Sequence, residues 1–405
     1  MSAAEGLLAA MASVAEQCSD CRALYLVGGA VRDHLLGTAP ERLRDLDFVV
    51  VGDAAALGRA LVQRCGGEVD THERFLTTTW RSPLWPRSID IVTARRESYS
   101  QPGALPDVQS GALEDDLARR CFTLNSMAAR VWPGEPWQLV DPLGCLPDLH
   151  ERLLRSHHPA SFLDDPTRML RLARFAVRLS LGVHEDTAAA LVAALADDAL
   201  ATVSGDRLWA EWELLCQEPE PEAVVAWMDE RGLAAGLSLA ADEGGLATLQ
   251  RGRLGAPEGR PWQPLQALAC LCLATDTSAC AQRFGLDGAR ASGLARLAAV
   301  PGRLAGPLHD CEGDDQLEEL LGPLDAAERA LLVAAEPSCR VLIERYEEHV
   351  QPLPPLLRGD ELLAAGMAQG PGLGEALREV RAAQLRGEVE SSAAALRLLG
   401  LVERE

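Results

Sequence analysis

Two aspartates one residue apart, Asp45 and Asp47, open the apolar run Phe48-Val49-Val50-Val51 in RDLDFVVVG. Side chains alternate along a strand, so both carboxylates lean to one side, roughly 6.5 Å apart at Cα, while Leu46 turns toward a core. Like charges held that close repel unless a cation lies between them. Carboxylate oxygens suit a divalent metal, Mg²⁺ first among them. Asp45 and Asp47 are therefore candidate catalytic residues and candidate metal ligands.

Upstream lies LVGGAVRDHLLG. Leu24–Val27 reads as a short strand, Gly28-Gly29 breaks it, and Ala30–Leu36 reads as a helix ended by Gly37. Such a turn aims backbone N–H groups at solvent, which favours an anion, and glycine lets a phosphate approach without a Cβ in the way. Arg32, in the first helical turn, adds a cation that Asp33 can brace. A Gly-Gly pair alone is a tight turn. Followed by D-x-D on a strand, it becomes a phosphate seat beside a metal site.

These groups need a scaffold. Strands are expected at Asp45–Val51, Phe75–Trp80 and Ser88–Val92, with a helix at Ala54–Cys65. Beyond about residue 150 the strand signal disappears. Leu163–Leu181, Thr187–Leu195, Arg207–Cys216 and many Ala/Leu-rich segments read as helices. Gln351–Leu357 is a Pro-rich joint before a last helical piece over Gly359–Leu401. The expected fold is α+β, a small sheet with helices followed by helices alone. The segments are a head over 1–150, a neck over 151–215, a body over 216–345 and a tail over 346–405.

Composition bounds the function. A chain of 405 residues carries two to four domains. The net charge of −22 argues against nucleic-acid binding by the whole surface, though not against a local basic groove. The N-terminus shows no basic signal-peptide region, and the apolar run near Leu265–Ala274 is too short to span a bilayer. Eleven cysteines without a secretory segment read as reduced, cytoplasmic thiols. Cys18 and Cys21 form a C-x-x-C with no second pair at zinc spacing, since Cys270 and Cys272 are too close. His309-Asp310 lacks the partner histidines of a phosphohydrolase site.

The blocks LVGGAVRDHLLG and RDLDFVV resemble the nucleotidyltransferase head of the DNA polymerase beta superfamily, more narrowly the bacterial class II tRNA nucleotidyltransferases and their poly(A) polymerase relatives. The likeness continues through IDIVTARRESYSQPGALPDV, DDLARRCFTLNSMA, DPLGCLPDL and FLDDPTRMLRLARFAVRL. It returns weakly at GDRLWAEWELL and LLRGDELLAAGMAQGPGLGEAL. It implies that Asp45 and Asp47 hold two Mg²⁺ ions, that Asp90 in SIDIV is the third carboxylate, and that ATP and CTP are joined to a tRNA 3′ end. The alternatives are poly(A) polymerase on other RNA, or a weakened nucleotide- or RNA-binding protein.

Base choice follows from chemistry. Cytosine and adenine both present an exocyclic amino donor beside a ring-nitrogen acceptor, so one carboxylate and one arginine a helical turn apart can mimic a pairing edge. DDPTR supplies Asp165 and Arg168 at i and i+3. A plain capped helix start with Pro166 explains the aspartate equally well. Arg168, Arg171, Arg174 and Arg178 form one stripe, either solvated or in contact with triphosphate or RNA backbone. Relatives carry R-R-D where this chain has Arg119, Arg120 and Cys121, a motif associated with ribose and triphosphate recognition. A thiol accepts a hydroxyl hydrogen bond poorly, so weaker ribose selection is expected, with Asn125 retained as a polar contact. The long Pro/Gly/Ser segment Arg95–Gly111 reads as a mobile loop; family members that add the terminal A have such a loop, which argues against CC-only addition.

Overall fold

A computed structural model describes residues 3–39, 43, 46–99, 103–104, 106–133, 135–256, 262–273 and 276–402. Asp45 lies outside the described residues. The chain forms two compact units, Met1–Glu211 with Glu230–Gly236, and Trp212–Asp229 with Leu237–Glu405.

The first unit begins with helix α1 (Ala3–Gln17), strand β1 (Cys21–Val27), helix α2 (Gly29–Leu35), strand β2 (Asp47–Gly52) and helix α3 (Ala54–Cys65). Strands β3 (Glu68–His72), β4 (Thr77–Arg81) and β5 (Ser88–Thr93) follow, then a hairpin of β6 (Arg95–Ser98) and β7 (Asp107–Ser110). Helix α4 (Leu113–Ala118), strands β8 (Ala128–Trp132) and β9 (Glu135–Val140), and helix α5 (Leu146–His150) complete this part. Seven strands make one mixed sheet in the order β3-β4-β5-β2-β1-β8-β9. Only β2 and β5 run parallel; the other neighbours are antiparallel.

Phe48, Val49 and Val50 are fully buried, because both faces of central strand β2 are covered. Each such side chain contributes about 1.5–3 kcal/mol of burial. Val27, Val49 and Ala128 pack against Leu113 and Leu117 of α4. Leu46 is buried, as its alternation with Asp47 requires. Asp53 caps α3 by accepting from the Ala55 N–H.

Some boundaries differ from the expected ones. Phe75 closes a 3₁₀ turn, Glu73–Phe75, and Leu76 adopts a left-handed φ of 54°, so β4 starts only at Thr77. Helix α1 and strands β3, β8 and β9 were not expected from the sequence, and the segment Arg95–Gly111, expected as a mobile loop, instead pairs its two ends as β6 and β7, Arg95 opposite Ser110 and Ser98 opposite Asp107. Leu163–Leu181 is not one helix: α6 (Ser161–Asp164) ends before Asp165, and α7 (Thr167–Arg178) begins after Pro166. Proline disfavours a helical conformation in the residue before it, and Asp165 is accordingly extended at φ −137°, ψ 94°. Two-residue strands Leu153–Leu154 and Gly182–Val183 pair in parallel where no strand was expected. Helices α8 (Glu185–Ala196) and α9 (Gly205–Cys216) follow.

The second unit is helical among its described residues. One core cluster gathers Val300, Leu304, Leu317, Leu321, Leu332 and Ile343. The expected last helical piece is three helices, Gly359–Ala364, Pro371–Leu385 and Ser392–Leu398. Bonds from Met367 N to Leu362 O and from Glu388 N to Ala383 O close the first two in Schellman fashion. Among the described residues no helix is long and apolar enough to cross a membrane.

Candidate active site

A cavity of about 860 Å³ opens in the first unit. Its floor is the end of the central strands. Asp47 starts β2 and pairs in register with Asp90 of β5, which puts the two carboxylates side by side on adjacent parallel strands. Thr79, opposite Asp90 on β4, donates its hydroxyl to Asp90 Oδ1 at 2.7 Å. These hard oxygen donors at a strand end fit a divalent ion, and in the sequence Asp45 precedes Asp47 by two residues. Among the described residues no cluster of three or more His, Cys, Asp or Glu side chains holds a metal-binding geometry.

The glycine turn meets this floor. A Cβ on Gly28 would lie 3.0 Å from Arg120 Nη1 and 3.6 Å from Asp47 Oδ2, so backbone, guanidinium and carboxylate converge at one point. Gly29 begins α2, and its own absent Cβ would face Arg32 Nη2 at 3.3 Å. Arg32 is buried. Its Nε donates to Asp33 Oδ1 at 2.8 Å, its Nη1 to Asn125 Oδ1 at 2.7 Å, and its guanidinium sits over the Phe175 ring. Asn125 thus lines the cavity but uses its amide oxygen to hold Arg32.

Arg119 and Arg120 follow the end of α4 because Asp116, one turn earlier, is fully buried between them. Asp116 Oδ1 accepts from Arg119 Nε at 2.9 Å and Nη2 at 2.8 Å, while Oδ2 accepts from Arg120 Nη2 at 3.0 Å. Burying a carboxylate is tolerable only with such pairing. Arg120 Nε is buried without a protein partner.

The opposite wall is α7. Asp165 Oδ1 accepts three hydrogen bonds, from the Thr167 N–H at 3.1 Å, the Thr167 hydroxyl at 2.7 Å and Arg207 Nη2 at 2.8 Å. Among the described residues no hydrogen bond to Oδ2 is seen. Burial alone would raise this carboxyl's pKa; the Thr167 hydroxyl and Arg171, Arg207 and Arg168 outweigh it and hold the group below the usual carboxylate range. Arg168, 4% exposed, donates Nη1 to Ser161 Oγ at 2.7 Å and Nη2 to the Arg119 carbonyl at 3.1 Å and the Tyr99 hydroxyl at 3.3 Å. Asp165 and Arg168 therefore stand one turn apart as expected, but Asp165 sits in the extended residue before the helix rather than on it.

The arginine stripe divides. Arg171 lines the cavity, donating Nε to Glu211 Oε1 at 2.7 Å and Nη1 to Cys121 Sγ at 3.3 Å. Arg178 also lines it. Arg174 does not; its Nη1 donates to Glu211 Oε2 at 3.2 Å. Glu211, on α9, is buried between the two arginines. Arg152 donates to the Leu179 carbonyl, and Arg155 pairs with Asp148.

Among the described residues eight arginines and five carboxylates line the cavity, a positive balance inside a chain of net charge −22. Such a local reversal concentrates an anionic ligand where the rest of the surface repels it. The structure brings Gly28, Gly29, Arg32, Asp47, Asp90, Arg119, Arg120, Asn125, Asp165, Arg168 and Arg171 to one cavity, without Arg174. Sequence reasoning missed Glu97, Tyr99, Asp116, Arg207 and Glu211. Only Asp116 carried a local signal, a carboxylate three and four residues before two arginines on a helix.

Residues 24–155 match the poly(A) polymerase head domain. The chain is 34% identical over 383 residues to an A-adding tRNA nucleotidyltransferase of Halalkalibacterium halodurans, covering 92% of this chain and 87% of the relative. It is 36% identical over 376 residues to a CC-adding tRNA nucleotidyltransferase of Deinococcus radiodurans, covering 91% and 86%. A solved CCA-adding enzyme in an apo form superposes with a TM-score of 0.83 at 24% identity, over 98% of this chain and 95% of that one, which speaks to the fold. A positively lined cavity at the strand ends, the head-domain match and relatives alike over nine-tenths of the chain lead to one conclusion: the protein is an enzyme of the tRNA nucleotidyltransferase family.

Proposed function

We propose that the protein adds nucleotides to tRNA 3′ ends without a nucleic-acid template, taking ATP and CTP and releasing pyrophosphate. The carrying observation is the convergence, in one cavity, of a glycine turn, a strand-end carboxylate pair, a braced arginine pair and a donor–acceptor edge on α7. Gly28, Gly29, Arg32, Arg119 and Arg120 bind the triphosphate, with Arg120 Nη1 facing the glycine turn. Asp165 Oδ2 accepts from the exocyclic amino group of adenine or cytosine, and Arg168 donates to the ring nitrogen beside it. Guanine and uracil present a carbonyl to that carboxylate and are repelled.

Nucleotidyltransferases of this kind use a divalent metal. We assign it as Mg²⁺ on Asp45 and Asp47, with Asp90 beside them; when bound it lowers the cost of the charge on the reacting oxygens. The chain's own residues hold the α-phosphate in line with the RNA 3′-hydroxyl. That oxygen bonds to the α-phosphorus as the bond to pyrophosphate breaks, and the hydroxyl proton is lost to the nearby carboxylates or solvent. Arg171 and Arg174 are assigned to bracing α7 against Glu211, Arg171 also facing the cavity. Residues 151–215 act as a neck carrying the α7 edge, and the helices of 216–345 and 346–405 carry the tRNA. Eleven free thiols support a cytoplasmic location.

Addition of CCA or of the terminal A is favoured by the long Pro/Gly/Ser segment Arg95–Gly111, which resembles the loop of family members that add the terminal A. The 36% identity to a CC-adding relative favours CC addition as a second reading. Labelled CTP and ATP, offered with tRNA ending at the discriminator base, tRNA ending in CC and a generic oligonucleotide, separate these and poly(A) synthesis. Asp47→Asn is expected to abolish addition to every acceptor at an unchanged melting temperature. Retained addition with Mg²⁺ would remove the metal assignment, and incorporation only into the oligonucleotide would overturn the tRNA reading.

A further inference from the structure

The hairpin of β6 and β7 carries no residue of the base-reading edge, yet it reaches that edge through one oxygen atom. Arg168 is oriented by three protein contacts. Ser161 and the Arg119 carbonyl hold two points, and the Tyr99 hydroxyl, one residue beyond β6, holds the third at 3.3 Å. A guanidinium has five N–H donors, so these three bonds leave one Nη1 proton and the Nε proton. Nε is buried without a partner. The Nη1 proton is thus the natural donor to a base, and its direction depends on how the planar group is pinned.

Tyr99 pins it with a defined polarity. Its hydroxyl has a single proton and donates it to Glu97 Oε2 at 3.2 Å. Toward Arg168 the oxygen can then only accept. Burial, the largest influence, with Glu97 and Asp165 adding to it and Arg168 opposing, pushes the hydroxyl pKa up to about 12, so the proton stays in place at neutral pH. Glu97 is itself held still: its Oε1 accepts from Arg95 Nε at 3.1 Å and Nη2 at 2.9 Å, and from Arg119 Nη1 at 3.0 Å. A fixed carboxylate fixes the hydroxyl, and the hydroxyl fixes the guanidinium. The same Glu97 that orients Arg168 through Tyr99 also holds Arg119 of the triphosphate-facing pair.

We propose that Tyr99 is a specificity-determining positioning residue, aiming Arg168 at the base through the Glu97–Tyr99–Arg168 chain. The proposal rests on the reading of Arg168 as the base donor. Without the hydroxyl, Arg168 Nη2 keeps only the Arg119 carbonyl, and the guanidinium can rotate about its remaining anchors. A rotated donor no longer meets the ring nitrogen while Asp165 meets the amino group, so the correct bases lose their advantage. Triphosphate contacts are made elsewhere and stay.

The test is Tyr99→Phe, which removes one oxygen and keeps the ring. Single-nucleotide addition is measured with each of the four NTPs, giving kcat/KM for ATP and CTP against GTP and UTP. The expected result is a fall in that ratio on the order of tenfold, the worth of one hydrogen bond to a charged group, with most of the loss in kcat. Thermal midpoints are measured alongside; a purely structural role would lower the midpoint and leave the ratio alone. Arg168→Lys is the control. A ratio unchanged in Tyr99→Phe but lowered in Arg168→Lys overturns the role of Tyr99 and leaves the base-reading edge standing. A ratio unchanged in both overturns the edge itself. Should Tyr99→Phe not fold, Glu97→Gln gives the same readout, because its amide can donate to Tyr99 and turn the hydroxyl proton toward Arg168; an unchanged ratio there overturns the proposal equally.

Discussion

Replacing Gly28 by alanine tests the phosphate seat more directly than any charge deletion, because it adds one methyl group and removes nothing. Gly28 sits at φ 72°, ψ −136°, a combination that L side chains avoid. Forcing a residue with a Cβ into such a region costs about 1–3 kcal/mol. The new methyl would also lie 3.0 Å from Arg120 Nη1, and that arginine cannot swing aside freely because Asp116 holds its Nη2. In a unit of this size each kcal/mol lowers the melting temperature by about 2–4 °C, so a drop of roughly 2–12 °C is expected. Gly29 provides the internal comparison. It has an ordinary φ as the first residue of α2, and its Cβ would meet only the Arg32 guanidinium at 3.3 Å. Alanine in a helix is better than glycine by about 0.5–1 kcal/mol, so Gly29→Ala should melt level with the parent or up to about 4 °C above it. Differential scanning calorimetry reads the stabilities, and labelled ATP addition at saturating tRNA reads the activity. Gly28→Ala should lose at least about tenfold in kcat/KM for the nucleotide, the equivalent of 1.4 kcal/mol. The reasoning fails if Gly28→Ala melts and adds nucleotide like the parent, or if Gly29→Ala is the more damaged of the two.

Glu211→Gln should loosen α7, since one buried carboxylate serves both Arg171 and Arg174. A loss of about 1–3 kcal/mol in denaturant unfolding is expected, and an unchanged midpoint would dismiss the brace. Cys121→Asp places a carboxylate beside Arg171, where the thiol now accepts only at 3.3 Å. The preference for ATP over dATP should rise, measured as a ratio of kcat/KM values; a ratio that does not move would strip the cysteine of a part in ribose selection.

Much of the site was legible because its chemistry is written at short range. Asp47 at a strand mouth, Gly-Gly before a helix, and an aspartate–arginine pair one turn apart each depend on spacing within a few residues, and periodicity alone turns spacing into direction. The buried run Phe48–Val50 and the helix Ala54–Cys65 follow from the same rule. The α+β division needed no more than the disappearance of strand-forming runs after the first third of the chain. Even here local rules competed. The arginine stripe suggested a helix running through Asp165, and Pro166 broke it.

What the residues could not announce is who meets whom across the chain. Asp47 faces Asp90 because β2 and β5 pair in parallel with that register, and a shift by one residue would send the carboxylates to opposite faces. Arg174 points at Glu211 and Asn125 serves Arg32 through contacts 37 and 93 residues apart. Tyr99 reaches Arg168 across 69 residues. A lone arginine in a sequence can serve a ligand, a carboxylate or solvent with equal ease, since its propensity is the same in all three. Sequence therefore determined which chemical groups exist and which strand ends and helix starts present them. Tertiary packing alone decided which charges are neutralised inside the protein and which are left facing the cavity, because burial makes every unpaired charge costly and forces the partners to be chosen in three dimensions.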